Sequence, residues 1–108
     1  MQKCIIYVRT KQGDLVQAWK QLLILLEYAK EIDFQILNII AVTEDDNQYN
    51  RSSIEHLLKK LKDHSCCSVL VMDSRYLSDD PEELAKIKDR FANDGVTVIS
   101  YSDNKQSR

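Results

Sequence analysis

A chain of 108 residues with 44% apolar and 30% charged side chains has the balance of one globular domain and excludes an extended disordered chain. Its formal net charge of −2 gives no electrostatic basis for strong binding to nucleic acid or to a membrane surface. No secretory pattern follows the apolar run at residues 2–9, and runs such as residues 22–26 are far too short to span a bilayer, so the expected location is the cytoplasm.

Residues 4–8, Cys-Ile-Ile-Tyr-Val, are β-branched and aromatic and predict a buried strand, punctuated by Gln12-Gly13-Asp14. A helix is expected from about Leu15 to Glu31, with Leu15, Trp19, Leu22, Leu23 and Leu26 on one face. Ile24, Leu25 and Tyr28 widen that stripe, so the helix is either buried deeply in its own domain or offers a face to a partner. Residues 34–42 predict a second strand and residues 43–50 a polar, acidic loop. Ser52 or Ser53 can cap a second helix that buries Ile54, Leu57, Leu58 and Leu61 and leaves Lys59, Lys60 and Lys62 in water.

Residues 69–72 predict a third strand. Asp80 is placed to cap a third helix, with Pro81 at its first position and Glu82 and Glu83 at the positive end of its dipole. Leu84, Ile87 and Phe91 face the core, and Gly95 terminates the helix. Residues 96–101 predict a fourth strand and residues 102–108 a polar tail. The order β-α-β-α-β-α-β, with short and nearly continuous apolar strands, predicts a three-layer α/β domain over residues 1–101 with a mainly parallel four-stranded sheet.

Three cysteines, Cys4, Cys66 and the adjacent Cys67, make a poor disulfide framework and suit a reducing compartment. Neither they nor His56 and His64 have metal-ligand spacing, so no metal is expected, and both histidines read as surface residues. No glycine-rich phosphate loop is present, and no cofactor is expected. In parallel sheets, sites form beyond the carboxyl ends of the strands. Those ends carry Arg9, Lys11, Arg51 and Arg75, which either converge on an anionic group or pair singly with acids.

The order and spacing of short motifs resemble the N-terminal catalytic domain of serine recombinases, the resolvase/invertase family. That family opens on a strand reading Tyr-x-Arg-Val-Ser-Thr; here the run is Tyr7-Val8-Arg9-Thr10-Lys11-Gln12. Gln21, Leu25, Tyr28 and Ala29 match its first helix, and Arg51, Ile54, Leu57 and Leu58 its second. Its Asp-Arg-Leu-Ser/Gly-Arg motif becomes Arg75-Tyr76-Leu77-Ser78-Asp79. The resemblance covers roughly residues 3–101 and implies a resolvase-like fold.

In that family a serine hydroxyl attacks a DNA phosphodiester and arginines stabilise the phosphate. The resemblance places Lys11 at the serine, Tyr76 and Asp79 at two arginines, and Arg75 at the aspartate, while Arg9 and Arg51 are kept. An ammonium group is a cation at neutral pH, not a nucleophile. Thr10 adjoins the lost serine, but neighbouring strand side chains point to opposite faces. The resemblance therefore implies an inactive recombinase-like module that binds a protein partner or itself, and meets DNA weakly or through that partner. The alternative is a divergent recombinase or phosphotransferase acting through Thr10 with Arg9, Arg51 and Arg75.

Overall fold

The computed structural model describes residues 2–11, 14–44, 51–78 and 80–106, apart from the side chains of Lys11, Glu44, Arg51, Ser52 and residues 104–106. The chain runs β1 (Gln2–Lys11), α1 (Leu15–Glu31), β2 (Phe34–Glu44), α2 (Arg51–Asp63), β3 (Ser68–Val71), a 3-10 turn (Ser74–Tyr76), α3 (Pro81–Asn93), β4 (Thr97–Ser100) and α4 (Tyr101–Gln106). The sheet order is β2-β1-β3-β4, and every pairing is parallel. Among the described residues, no helix is long and apolar enough to cross a membrane.

β1 sits in the middle of the sheet, and its alternation sets the layers. Ile5 and Tyr7 pack with Ile54, Leu57, Leu58 and Leu61 of α2 and with Ile87 and Phe91 of α3. Cys4, Ile6 and Val8 point the other way, against Leu25, Tyr28 and Ala29 of α1, with Tyr101 of α4 at the margin. Residues 4–8 are all buried, as a strand covered on both faces requires. This is the expected three-layer α/β arrangement.

α1 turns a different face inward from the one its leucines predict. Its buried residues are Gln21, Leu25, Tyr28 and Ala29, whereas Leu15, Trp19 and Leu23 stand 66%, 62% and 57% exposed. Leu22 and Leu26 are half-buried. The helix is apolar almost all round, so its periodicity does not select a face. Tertiary packing does, and it takes a glutamine inside.

Boundaries move where long-range contacts override local signals. β1 continues past its apolar run, and β2 follows it to Glu44, which pairs with Lys11, instead of ending at residue 42. α2 begins at Arg51, so Ser52 and Ser53 lie in its first turn and do not precede it as caps. β4 spans only Thr97–Ser100, and the expected polar tail is helical over Tyr101–Gln106. The Tyr101 ring meets Tyr28 edge-on at 5.2 Å, and Ser102 N–H donates to the Met72 carbonyl at 2.9 Å. These contacts tie α4 to the sheet.

Helix termini follow the sequence more closely. Asp80 accepts from Glu82 N–H at 3.0 Å with Pro81 at the first helical position. α2 and α3 close with the same pair of bonds: Cys66 N–H to the Leu61 carbonyl and Ser65 N–H to Lys62, then Val96 N–H to Phe91 and Gly95 N–H to Ala92. The left-handed residue is Gly95 (φ 75°) in one case and Ser65 (φ 52°) in the other.

Candidate functional site

The strand order reverses direction around β1 and β3, and such a switch point leaves a crevice beyond the carboxyl ends of the strands. Arg9, near the end of β1, lies in that region. It is only 9% exposed, and its Nη1 donates to the Tyr76 carbonyl at 3.2 Å. The bond joins the end of β1 to the 3-10 turn after β3 and is made to main chain.

That turn is held by Asp73. Its Oδ1 accepts from Arg75 N–H at 2.9 Å and from Arg75 Nε at 3.2 Å, and its Oδ2 accepts from Arg75 Nη2 at 3.2 Å and from the Ser102 hydroxyl at 2.8 Å. Partial burial pushes the Asp73 carboxyl up. The hydrogen bonds from Arg75 and Ser102 and the charge of Arg75 outweigh it and hold the carboxyl below its ordinary 3.8. Arg75 folds back on Asp73 while its side chain stays 77% exposed. Met72, Asp73, Arg75, Tyr76 and Ser102 line a shallow cavity of about 400 Å³ beside this cluster.

Thr10 belongs to the other layer. It follows Cys4, Ile6 and Val8 on the α1 side of β1, and its Oγ1 is buried without a hydrogen-bond partner. Gln21 Oε1, on the inward face of α1, is likewise buried and unsatisfied. The sheet therefore separates the Thr10 hydroxyl from the Arg9 guanidinium.

Of the residues singled out from sequence, the structure brings together Arg9 and the Tyr76 main chain, and sets Arg75 on Asp73. The side chains of Lys11 and Arg51, and the whole of Asp79, lie outside the described residues. Sequence reasoning passed over Asp73 and Ser102. Asp73 carried a signal, an aspartate directly after an apolar strand and two residues before an arginine. Ser102 lay in a segment read as a tail and carried none.

Solved structures share this architecture. The C-terminal catalytic domain of ISC1926 TnpA, an IS607-like serine recombinase, superposes with a TM-score of 0.78 at 19% identity, covering 92% of this chain and 70% of that one. The fold is that of a serine-recombinase catalytic domain. The N-terminal catalytic domain of TP901-1 integrase gives 0.78 at 21% identity over 94% of this chain and 78% of that one. A resolvase family site-specific recombinase from Streptococcus pneumoniae gives 0.69 at 16% identity over 95% and 74%. No protein-family model matches the sequence, and no curated protein is significantly similar to it. The likeness to recombinase catalytic domains is thus one of fold.

Proposed function

We propose that this chain is a serine-recombinase-like module that does not cleave DNA and acts by binding a protein partner in a regulatory role. The observation that carries the reading is the engagement of Arg9. The arginine that the family resemblance assigns to phosphate binding is buried and donates to the Tyr76 carbonyl, so it braces the switch point.

Three further features support the reading. Lys11 stands at the position that the resemblance gives to the nucleophilic serine. Thr10, the nearest hydroxyl, is buried in the α1 layer. Arg75 is bound in bidentate fashion by Asp73. Removing a nucleophile or a charge-stabilising donor costs on the order of a hundredfold in rate or far more, and several such losses together remove useful cleavage.

The test is a nicking assay on supercoiled plasmid with purified, folded protein, scored for relaxed product and for covalent protein–DNA adduct. The plasmid is expected to remain supercoiled and adduct-free. Nicking that is abolished by Thr10→Ala or Lys11→Ala would overturn the proposal.

A further inference from the structure

β2 is an edge strand, with β1 on one side and, among the described residues, no strand on the other. It is long for an edge, 11 residues against the 4 of β4 at the opposite end of the sheet. Brevity, lysine and proline are usual protections of such an edge. Phe34–Glu44 contains neither lysine nor proline, and its one charged residue, Glu44, stands at its end. The register with β1 shifts at Leu37, which lies between the partners of Cys4 and Ile5, and runs regularly from Asn38 onward.

Residues 39–43 show which groups face outward. Ile40 and Val42 pack into the layer of α2 and α3. Ile39, Ala41 and Thr43 therefore project from the opposite face, where all three are exposed, Ile39 by 41%. Ile39 N–H is held by Asn38 Oδ1 at 2.8 Å, so it lies outside the ladder with β1. Backbone groups alternate in direction along a strand as side chains do, so the N–H and C=O of Ala41 and Thr43 also point away from β1.

This stretch is self-complementary. A two-fold axis beside Ala41, normal to the sheet, sets a second β2 antiparallel to the first. Ala41 then meets Ala41, Ile39 meets Thr43, and Glu44 falls opposite Asn38, so no like charges oppose each other. The β-branched Ile39 and Thr43 side chains pair across the seam on one face. The Ala41 residues exchange N–H···O=C bonds, and Thr43 N–H donates to the Ile39 carbonyl of the other copy. The return bond from Ile39 N–H is forgone while Asn38 holds that group. We infer that β2 pairs with β2 of a second copy, antiparallel about Ala41, and that Asn38 limits the strength of the contact. The contact is isologous and closed, so it yields a dimer and not a filament. A seam this short buries far less than the about 800 Å² per partner of a standard interface, so association is weak and concentration-dependent. The dimer rests on the reading of the chain as an interaction module and names its partner.

Sedimentation velocity and amide hydrogen exchange read by NMR are measured on the full chain from about 1 µM to several hundred µM for sedimentation and at the upper end for exchange, a range that brackets micromolar dissociation. A monomer–dimer shift is expected, with the Ala41 and Thr43 amides gaining protection as dimer forms. Asn38→Ala frees Ile39 N–H for the second copy and tightens the dimer by roughly tenfold. Ala41→Lys or Ala41→Glu alone sets like charges against each other at the axis and weakens it by roughly tenfold. Mixed in equal amounts, the Ala41→Lys and Ala41→Glu chains associate at least as tightly as the parent, because opposite charges then meet. Ala41 is exposed, and far-UV circular dichroism confirms that each variant is folded.

A chain that stays monomeric over this range overturns the inference, whether or not a strand of another protein pairs with the same edge. So does a dimer indifferent to both Ala41 variants, or one in which the Ala41 and Thr43 amides exchange as fast as in the monomer. Single variants that weaken the dimer and are not rescued by mixing overturn the pairing about Ala41. A dimer no tighter in Asn38→Ala overturns the limiting role of Asn38. The nicking assay on the same preparation keeps the two proposals apart: a monomer that does not nick refutes only the dimer, and a dimer that nicks refutes only the non-cleaving module.

Discussion

Arg9→Met separates a structural arginine from one held ready for a ligand. In the folded chain the Arg9 guanidinium is nearly inaccessible and donates to the Tyr76 carbonyl at 3.2 Å, across the junction of β1 with the turn after β3. A hydrogen bond from a charged donor contributes about 1.5–3 kcal/mol. Methionine preserves most of the packing of the arginine stem. The Tyr76 carbonyl is only partly buried and can recover water, and removing an enclosed cation offsets part of the loss. A net destabilisation of about 2 kcal/mol follows, a sizeable share of the 5–15 kcal/mol typical of such a domain. In a chain near 100 residues it corresponds to a melting point lower by roughly 10 °C. Urea unfolding followed by far-UV circular dichroism measures it as a lower midpoint at unchanged slope. A variant as stable as the parent, or more stable, would refute the reasoning. The arginine would then be held in the crevice at an energetic cost, as ligand-binding groups are, and inorganic phosphate should stabilise the parent protein and not the variant.

Lys11→Ser is expected to leave supercoiled plasmid intact. Tyr76 and Asp79 still stand where the resemblance places two charge-stabilising arginines, and each such donor accounts for about a hundredfold or more in rate; appearance of nicked circle would contradict this. Asp73→Asn alters acid stability in a defined direction. The Asp73 carboxyl is lowered in the folded chain, so its contribution is present above its ordinary 3.8 and is lost as the pH falls through the folded value. In thermal melts below that pH the parent should therefore lose more stability than the variant, and parallel curves would contradict it. Ser65→Gly should raise stability by up to about 1 kcal/mol, because Ser65 holds φ 52° in the closing motif that Gly95 completes after α3. Gly95→Ala should lower it by about 1 kcal/mol despite open space around the added methyl, since its φ of 75° is strained for any side chain. Both are read from urea midpoints.

Much of this fold was legible in the sequence because the relevant signals are local or strictly periodic. Residues 4–8 and 69–71 are buried on both faces and are apolar without interruption. Asp80-Pro81 and Gly95 bracket α3 through capping chemistry that acts within one turn. Ile54, Leu57, Leu58 and Leu61 occur at a helical period with polar residues opposite, so the buried face of α2 is unambiguous. α1 lacks that contrast. Eight of its residues could each have been core, and the selection of Gln21, Leu25, Tyr28 and Ala29 comes from the shape of the sheet beneath. α4 lacks it too, since it is anchored by Tyr101 on Tyr28 and by Ser102 on both Asp73 and Met72, residues far away in sequence.

The candidate site was legible as a place and not as an arrangement. Parallel strands put Arg9 and the segment following β3 at one end of the sheet, and the sequence alone indicates that. Which groups an arginine engages there depends on the turn geometry. Asp73 caps the 3-10 turn, and that cap orients the Tyr76 carbonyl as an acceptor and supplies a partner for Arg75. The same carboxylate accepts from the Ser102 hydroxyl, so α4 is tied to the turn. Arg9 and Arg75, the two guanidinium groups described at this end, thus each have an acceptor within the chain, and an incoming anion would have to displace one before binding to either.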